Sequence, residues 1–223
     1  MKKEELGSVV RGSRFSTFIP QLSILLPVLY FVWLLYQQIA ADWAAFREPR
    51  VDLETALAWA AVGYLLLLTG SYLRKPPALA ERRDWRALLA TLVAIDALGL
   101  SARQPVTQPE VLGLAAGLSL AGTLLAAWSA VTLGRSFSLL PQARTLVTGG
   151  PYRFVRHPMY LGGLLITLAE VWLRFSPLVV ALNAVFVAAQ LVRLGYEEQV
   201  LESTFPEYAT YRRRTSALIP GVV

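Results

Sequence analysis

His157, the chain's one histidine, stands between Arg156 and Pro158, with Tyr160 and Gly162 just beyond it. A second polar group follows downstream: Arg193, then the adjacent acids Glu197 and Glu198. An imidazole, a phenol, a guanidinium and two carboxylates can bind a polar ligand, orient an anion or move a proton. With no cysteine in the chain, a thiol nucleophile, a disulfide framework and a thiolate metal cluster are excluded. The chemistry has to come from the groups just named.

The elements that carry them are apolar. Hydrophobic residues make up 55% of the 223 and charged residues 16%, against roughly 25% charged in an ordinary soluble domain. The net charge of +6 lies between long apolar runs, which points to anionic lipid headgroups and away from nucleic acid. Runs long enough for membrane helices cover Pro20–Ala41, Glu54–Leu73, Ala87–Ala102 and Val111–Gly134. Pro158–Phe175 and Ser176–Tyr196 follow, parted by a polar break and Pro177, which predicts a tight helical hairpin. The first run has Lys2 and Lys3 before it and Ala40 and Ala41 after it, as a cleaved signal would, but it exceeds a signal core.

The expected fold is therefore all-α: a polytopic bundle of about six apolar helices, ending in a polar cytoplasmic segment, Glu197–Arg214. Residues 1–134 supply four N-terminal spans, and 135–223 supply a loop, the hairpin and the C-terminal segment of one integral domain. With both termini cytoplasmic, only Arg47, Arg50, Arg103 and Arg174 of the 21 Lys and Arg fall on the far side, as the positive-inside rule requires. Trp33, Tyr36, Trp43 and Trp172 suit interface anchors, and Arg212–Arg214 a headgroup-binding patch. Asp96 and Glu170 are ionisable groups inside apolar runs.

Gly149-Gly150-Pro151 enforces a turn ahead of Tyr152, and Pro158 fits the first turn of a helix. His157 then stands at a helix entrance beside unpaired backbone N–H groups, which suit a polar or anionic ligand. A hairpin with limbs of about 17 residues runs out roughly 25 Å and returns. That brings Glu197 and Glu198 back level with His157 and Tyr160, around a pocket for a polar ligand with an apolar edge. The plainer alternatives are a capping histidine, a solvated acidic pair and an Arg193 that snorkels to the headgroups.

RHPMYLG followed by Glu197-Glu198, with TLVTGGPY upstream and FPEYATYRRRT downstream, resembles the isoprenylcysteine carboxyl methyltransferase family, whose relatives include phospholipid methyltransferases. The resemblance covers roughly residues 135 to 214. It implies a bound S-adenosylmethionine, wrapped by Gln142, Arg144, Thr145, Leu146, Val147 and Tyr152 of the loop. By the same resemblance His157, Pro158, Met159, Tyr160 and Gly162 line the cofactor, Glu197 binds it, and Arg193 holds and orients the acceptor beside Glu198.

The implied partners are membrane lipids and a lipid-like or prenylated acceptor, with no metal and no nucleic acid. The implied reaction is direct displacement at the sulfonium methyl. A carboxylate acceptor needs no base; an amine or thiol acceptor would look to His157 or Glu198 for proton removal. Competing readings are a nicotinamide-dependent membrane reductase, because sterol reductases resemble this superfamily, and a non-catalytic scaffold or small transporter.

Overall fold

The computed structural model describes residues 22–41, 43–48, 53–74, 78–81, 85–138, 141–219 and 221. Lys2, Lys3, Pro20 and Arg50, named above, lie outside the described residues, as do Arg11, Arg14, Lys75, Arg82 and Arg83 among the basic residues counted on the cytoplasmic side. Helices α1 (Leu22–Ala41), α2 (Trp43–Arg47), α3 (Leu53–Leu73), α4 (Trp85–Ala102) and α5 (Leu112–Leu133) come first. They are followed by α6 (Pro158–Leu173), α7 (Pro177–Thr204) and α8 (Tyr208–Arg214).

Two helical stretches among the described residues, Pro109–Ser136 and Pro177–Thr204, are long and apolar enough to cross a membrane. Four shorter apolar helices accompany them: Val28–Ala40, Ala58–Ser71, Leu89–Ala102 and Pro158–Leu173. Large apolar side chains such as Leu66, Leu114, Leu124, Val131 and Leu178 point outward.

Each limb of the hairpin packs more extensively on an earlier helix than on its partner limb. α6 lies along α5, whereas α7 lies along α4. The reason on one side is small residues: a Cβ on Gly162 would come within 2.6 Å of the Gly122 carbonyl oxygen, and a Cβ on Gly122 within 2.6 Å of the Gly162 carbonyl oxygen. Such reciprocal closeness, which only glycine allows, lets the two backbones touch. On the other side, Ala90, Ala94 and Ala97 of α4 pack against Phe186 and Ala189 of α7.

Asn183 strengthens this second contact by donating to the Ser101 hydroxyl at 2.7 Å, both residues being buried. Asn183→Ala is expected to cost roughly 1 kcal/mol, because Ser101 loses its interhelical donor. A thermal melt in detergent checks this, and an unchanged melting temperature would refute it.

Two features depart from the sequence expectation. α7 does not stop where hydropathy falls but continues through Thr204, since Glu-Glu-Gln-Val-Leu-Glu are adequate helix formers. It ends at Phe205, held extended before Pro206. A short antiparallel pair, β1 (Ala80–Glu81) with β2 (Gln142–Ala143), also forms and ties the α3–α4 connection to the loop after α5. Two-residue strands leave no periodic signature to read.

Of the two ionisable groups inside apolar runs, Glu170 pairs with Arg174 at 3.3 Å near the hairpin turn. Asp96 accepts from the Tyr30 hydroxyl at 3.3 Å, joining α4 to α1.

Candidate functional site

At the mouth of the hairpin, Pro158 begins α6 and His157 precedes it with a non-helical backbone. His157 is only 5% exposed. The polar end of α7 returns to it as the limb lengths require. Nε2 of His157 lies 3.3 Å from Oε1 of Glu198, and Nδ1 lies 3.9 Å from Oε2 of Glu197. Tyr160, one turn into α6 and edge-on to the imidazole at 5.4 Å, donates its hydroxyl to Oε1 of Glu197. Arg193, one turn earlier on α7, stands 3.7 Å from the same oxygen and 5.4 Å from the centre of the Tyr160 ring. Its other arm donates to Gln190 at 3.1 Å.

The cluster is anchored by a residue to which sequence reasoning gave no role. Arg156, 8% exposed, donates its Nε to Glu198 at 2.9 Å and one terminal nitrogen to the backbone carbonyls of Arg212 and Thr215. Its own backbone N–H, and that of His157, donate to Ser216 and Ala217 at 2.8 and 3.0 Å. The segment after α8 is thus strapped beside the entrance of α6. The hydrogen bond from His157, and then the bond and charge of Arg156, hold the Glu198 carboxyl down to about 2 against the opposing effect of burial. A carboxylate so acidic is a poor proton acceptor near neutral pH.

The loop residues divide. Tyr152 is buried, its carbonyl accepts from the Tyr211 hydroxyl at 2.6 Å, and its phenol is raised far above its usual range by burial and then by the nearby Glu197 charge. It therefore belongs to the cluster. Gln142 accepts from Arg144 at 2.6 Å and from Ser138 at 2.9 Å, on a strand that packs against α7. The Thr145 hydroxyl shares a 2.5 Å bond with Ser136, while Leu146 and Val147 are half-buried. Gln142 thus joins Arg144 to Ser138, while Thr145 bonds to Ser136 at the root of the loop.

Gly150 adopts a left-handed φ of 56°, and a Cβ there would meet the Thr132 hydroxyl at 2.8 Å, which explains the glycine turn. Met159 packs on the Phe31, Leu68, Ala130 and Phe137 cluster. Gly162 faces α5 at the Gly122 contact described above, so its neighbour here is a helix backbone. Arg156, Tyr211 and the Thr215–Ala217 strap were missed because their partners lie far along the chain. The only signal was that Arg156 lies in the RHP stretch and Tyr211 and Thr215 in FPEYATYRRRT; Ser216 and Ala217 gave none.

The phospholipid methyltransferase family matches this chain over residues 111–208, from α5 through the start of α8. Over that segment the chain is similar to the phospholipid methyltransferase family. Every residue of the His157–Glu198 cluster lies within it. The cobalt-zinc-cadmium resistance protein CzcN of Cupriavidus metallidurans is 38% identical over 97 residues, covering 41% of this chain and 45% of that protein. Protein-S-isoprenylcysteine O-methyltransferase B of Arabidopsis thaliana is 32% identical over 108 residues, covering 45% of this chain and 55% of that protein. The chain spans about half the length of these curated relatives.

The solved structure of the eukaryotic intramembrane Ras methyltransferase, isoprenylcysteine carboxyl methyltransferase, aligns over 93% of this chain and 88% of that one. Its 16% identity and TM-score of 0.45 are too low to establish a shared fold.

Proposed function

We propose that the chain is an integral membrane methyltransferase that takes its methyl group from S-adenosylmethionine and gives it to a lipid-like acceptor. The carrying observation is the return of Glu197 and Glu198 to His157 and Tyr160 inside a segment similar to the phospholipid methyltransferase family. Apolar helices with outward Leu, Val and Trp side chains support a multi-pass topology. In that arrangement both termini are cytoplasmic and the apolar run of α7 ends ahead of Glu197.

The donor set fits such a cofactor. Glu197 has one oxygen engaged by Tyr160 and Arg193, and its other faces Nδ1 of His157 across 3.9 Å. Two acceptors so placed suit the hydroxyls or amino group of a nucleoside-bearing amino acid. Met159, Tyr152 and the half-buried Leu146 and Val147 offer an apolar edge.

When bound, the cofactor supplies a methyl group already activated on a sulfonium. The protein contributes binding through Glu197, orientation and exclusion of water. Arg193 orients an anionic acceptor such as an isoprenylcysteine-like carboxylate. For a phospholipid amine or a small thiol, His157 accepts the departing proton. Calorimetry on the purified protein is expected to show binding of S-adenosylhomocysteine and none of NADPH. Binding of NADPH alone would replace this reading with a membrane reductase.

A further inference from the structure

We propose that Arg156 is a positioning residue that fixes the state of the imidazole: by holding Glu198 against Nε2 of His157, it makes Nε2 the protonated nitrogen and turns an unprotonated Nδ1 toward Glu197. The inference rests on the reading of His157 as a site group, but its test needs no methyl donor, so either can fail alone.

Oε1 of Glu198 receives the Arg156 Nε at 2.9 Å and faces Nε2 of His157 at 3.3 Å. An ionised carboxylate only accepts hydrogen bonds, so the nitrogen facing it carries the proton. Glu198 cannot turn away without giving up Arg156. Arg156 in turn is held by the Arg212 and Thr215 carbonyls and by its own backbone bond to Ser216. A guanidinium can serve a carboxylate and two carbonyls at once because its donors form a rigid planar fork; an ammonium is a point donor and cannot reproduce that geometry.

The other groups around the ring are Tyr160, edge-on, Glu197 at 3.9 Å from Nδ1, and Arg212, whose guanidinium is 3.9 Å from the second oxygen of Glu198. With Nε2 protonated, Nδ1 and Oε2 of Glu197 are two acceptors facing one gap. The gap is matched to a ligand that brings its own N–H or O–H. The strap after α8 thereby acts on the site through Arg156.

The chain's single histidine makes this measurable directly. Isotope-labelled histidine in detergent-solubilised protein gives one imidazole signal in a nitrogen–proton correlation spectrum, recorded at mildly alkaline pH, above the imidazole's usual range. The native protein is expected to show an Nε2–H peak that exchanges slowly with water and an unprotonated Nδ1. A protonated Nδ1, an imidazolium or a freely exchanging ring would overturn the proposal, and this arm needs no variant. In Arg156→Lys the Nε2–H peak is expected to be lost to exchange, with the Nδ1–H form rising several-fold. A spectrum identical to the native one would show that Arg156 does not position the ring.

Discussion

Glu197→Gln is expected to weaken binding of S-adenosylhomocysteine by roughly 10- to 100-fold, the size of one lost charge-assisted hydrogen bond of about 1.5–3 kcal/mol. Glutamine can still accept from the Tyr160 hydroxyl, which now bonds to Oε1. It places an amide where Oε2 faces Nδ1, and so turns an acceptor into a donor or leaves it uncharged. Loss of the charge also weakens the pairing with Arg193 at 3.7 Å. Calorimetry on protein whose melting temperature stays near the native value checks this, and an unchanged affinity would remove Glu197 from the binding site.

Gly162→Val is expected to destabilise the fold by about 3 kcal/mol and to displace the site with it. A Cβ at 162 would lie 2.6 Å from the Gly122 carbonyl oxygen and 3.2 Å from the Ala126 backbone nitrogen. Both are helix backbone and cannot swing aside, so α5 and α6 must part. Since Tyr160 rides on α6 two residues earlier, its bond to Glu197 is strained by the same movement. Gly117→Val on α5 is the matched control, because nothing lies within 4 Å of a Cβ there. Thermal unfolding in detergent should show a large drop for the first variant and little or no drop for the second, valine being a better helix former than glycine. Equal losses would deny the close contact.

The sequence carried the helices well because each is an apolar run bounded by Pro, Gly or charge. It also carried the juxtaposition at the mouth of the hairpin, where rise per residue alone brings Glu197 and Glu198 level with His157. It did not carry which helices the two limbs lean on. The closeness of α6 to α5 depends on Gly122 meeting Gly162, and a glycine in a run gives no sign of its partner. The end of α7 was misplaced for a related reason: hydropathy marks where a helix leaves an apolar environment, not where its backbone stops. Arg156 was visible within the RHP stretch, yet its carbonyl partners at 212 and 215 belong to a strap whose path follows from tertiary packing. Gly162, placed by the resemblance along the cofactor, also stands against Gly122 of α5, a contact its position in the sequence did not announce.

The central claim is that the cluster around His157 and Glu197 serves methyl transfer to a lipid-like molecule. Its most direct test is incubation of the purified protein with S-adenosylmethionine labelled on the methyl group and a membrane lipid extract, with a prenylcysteine analogue alongside, followed by extraction and identification of the labelled product. Label in an organic-soluble acceptor, absent with His157→Ala or Glu197→Ala, is the predicted result. No transfer to any acceptor by folded native protein, or transfer that survives both substitutions, would contradict it.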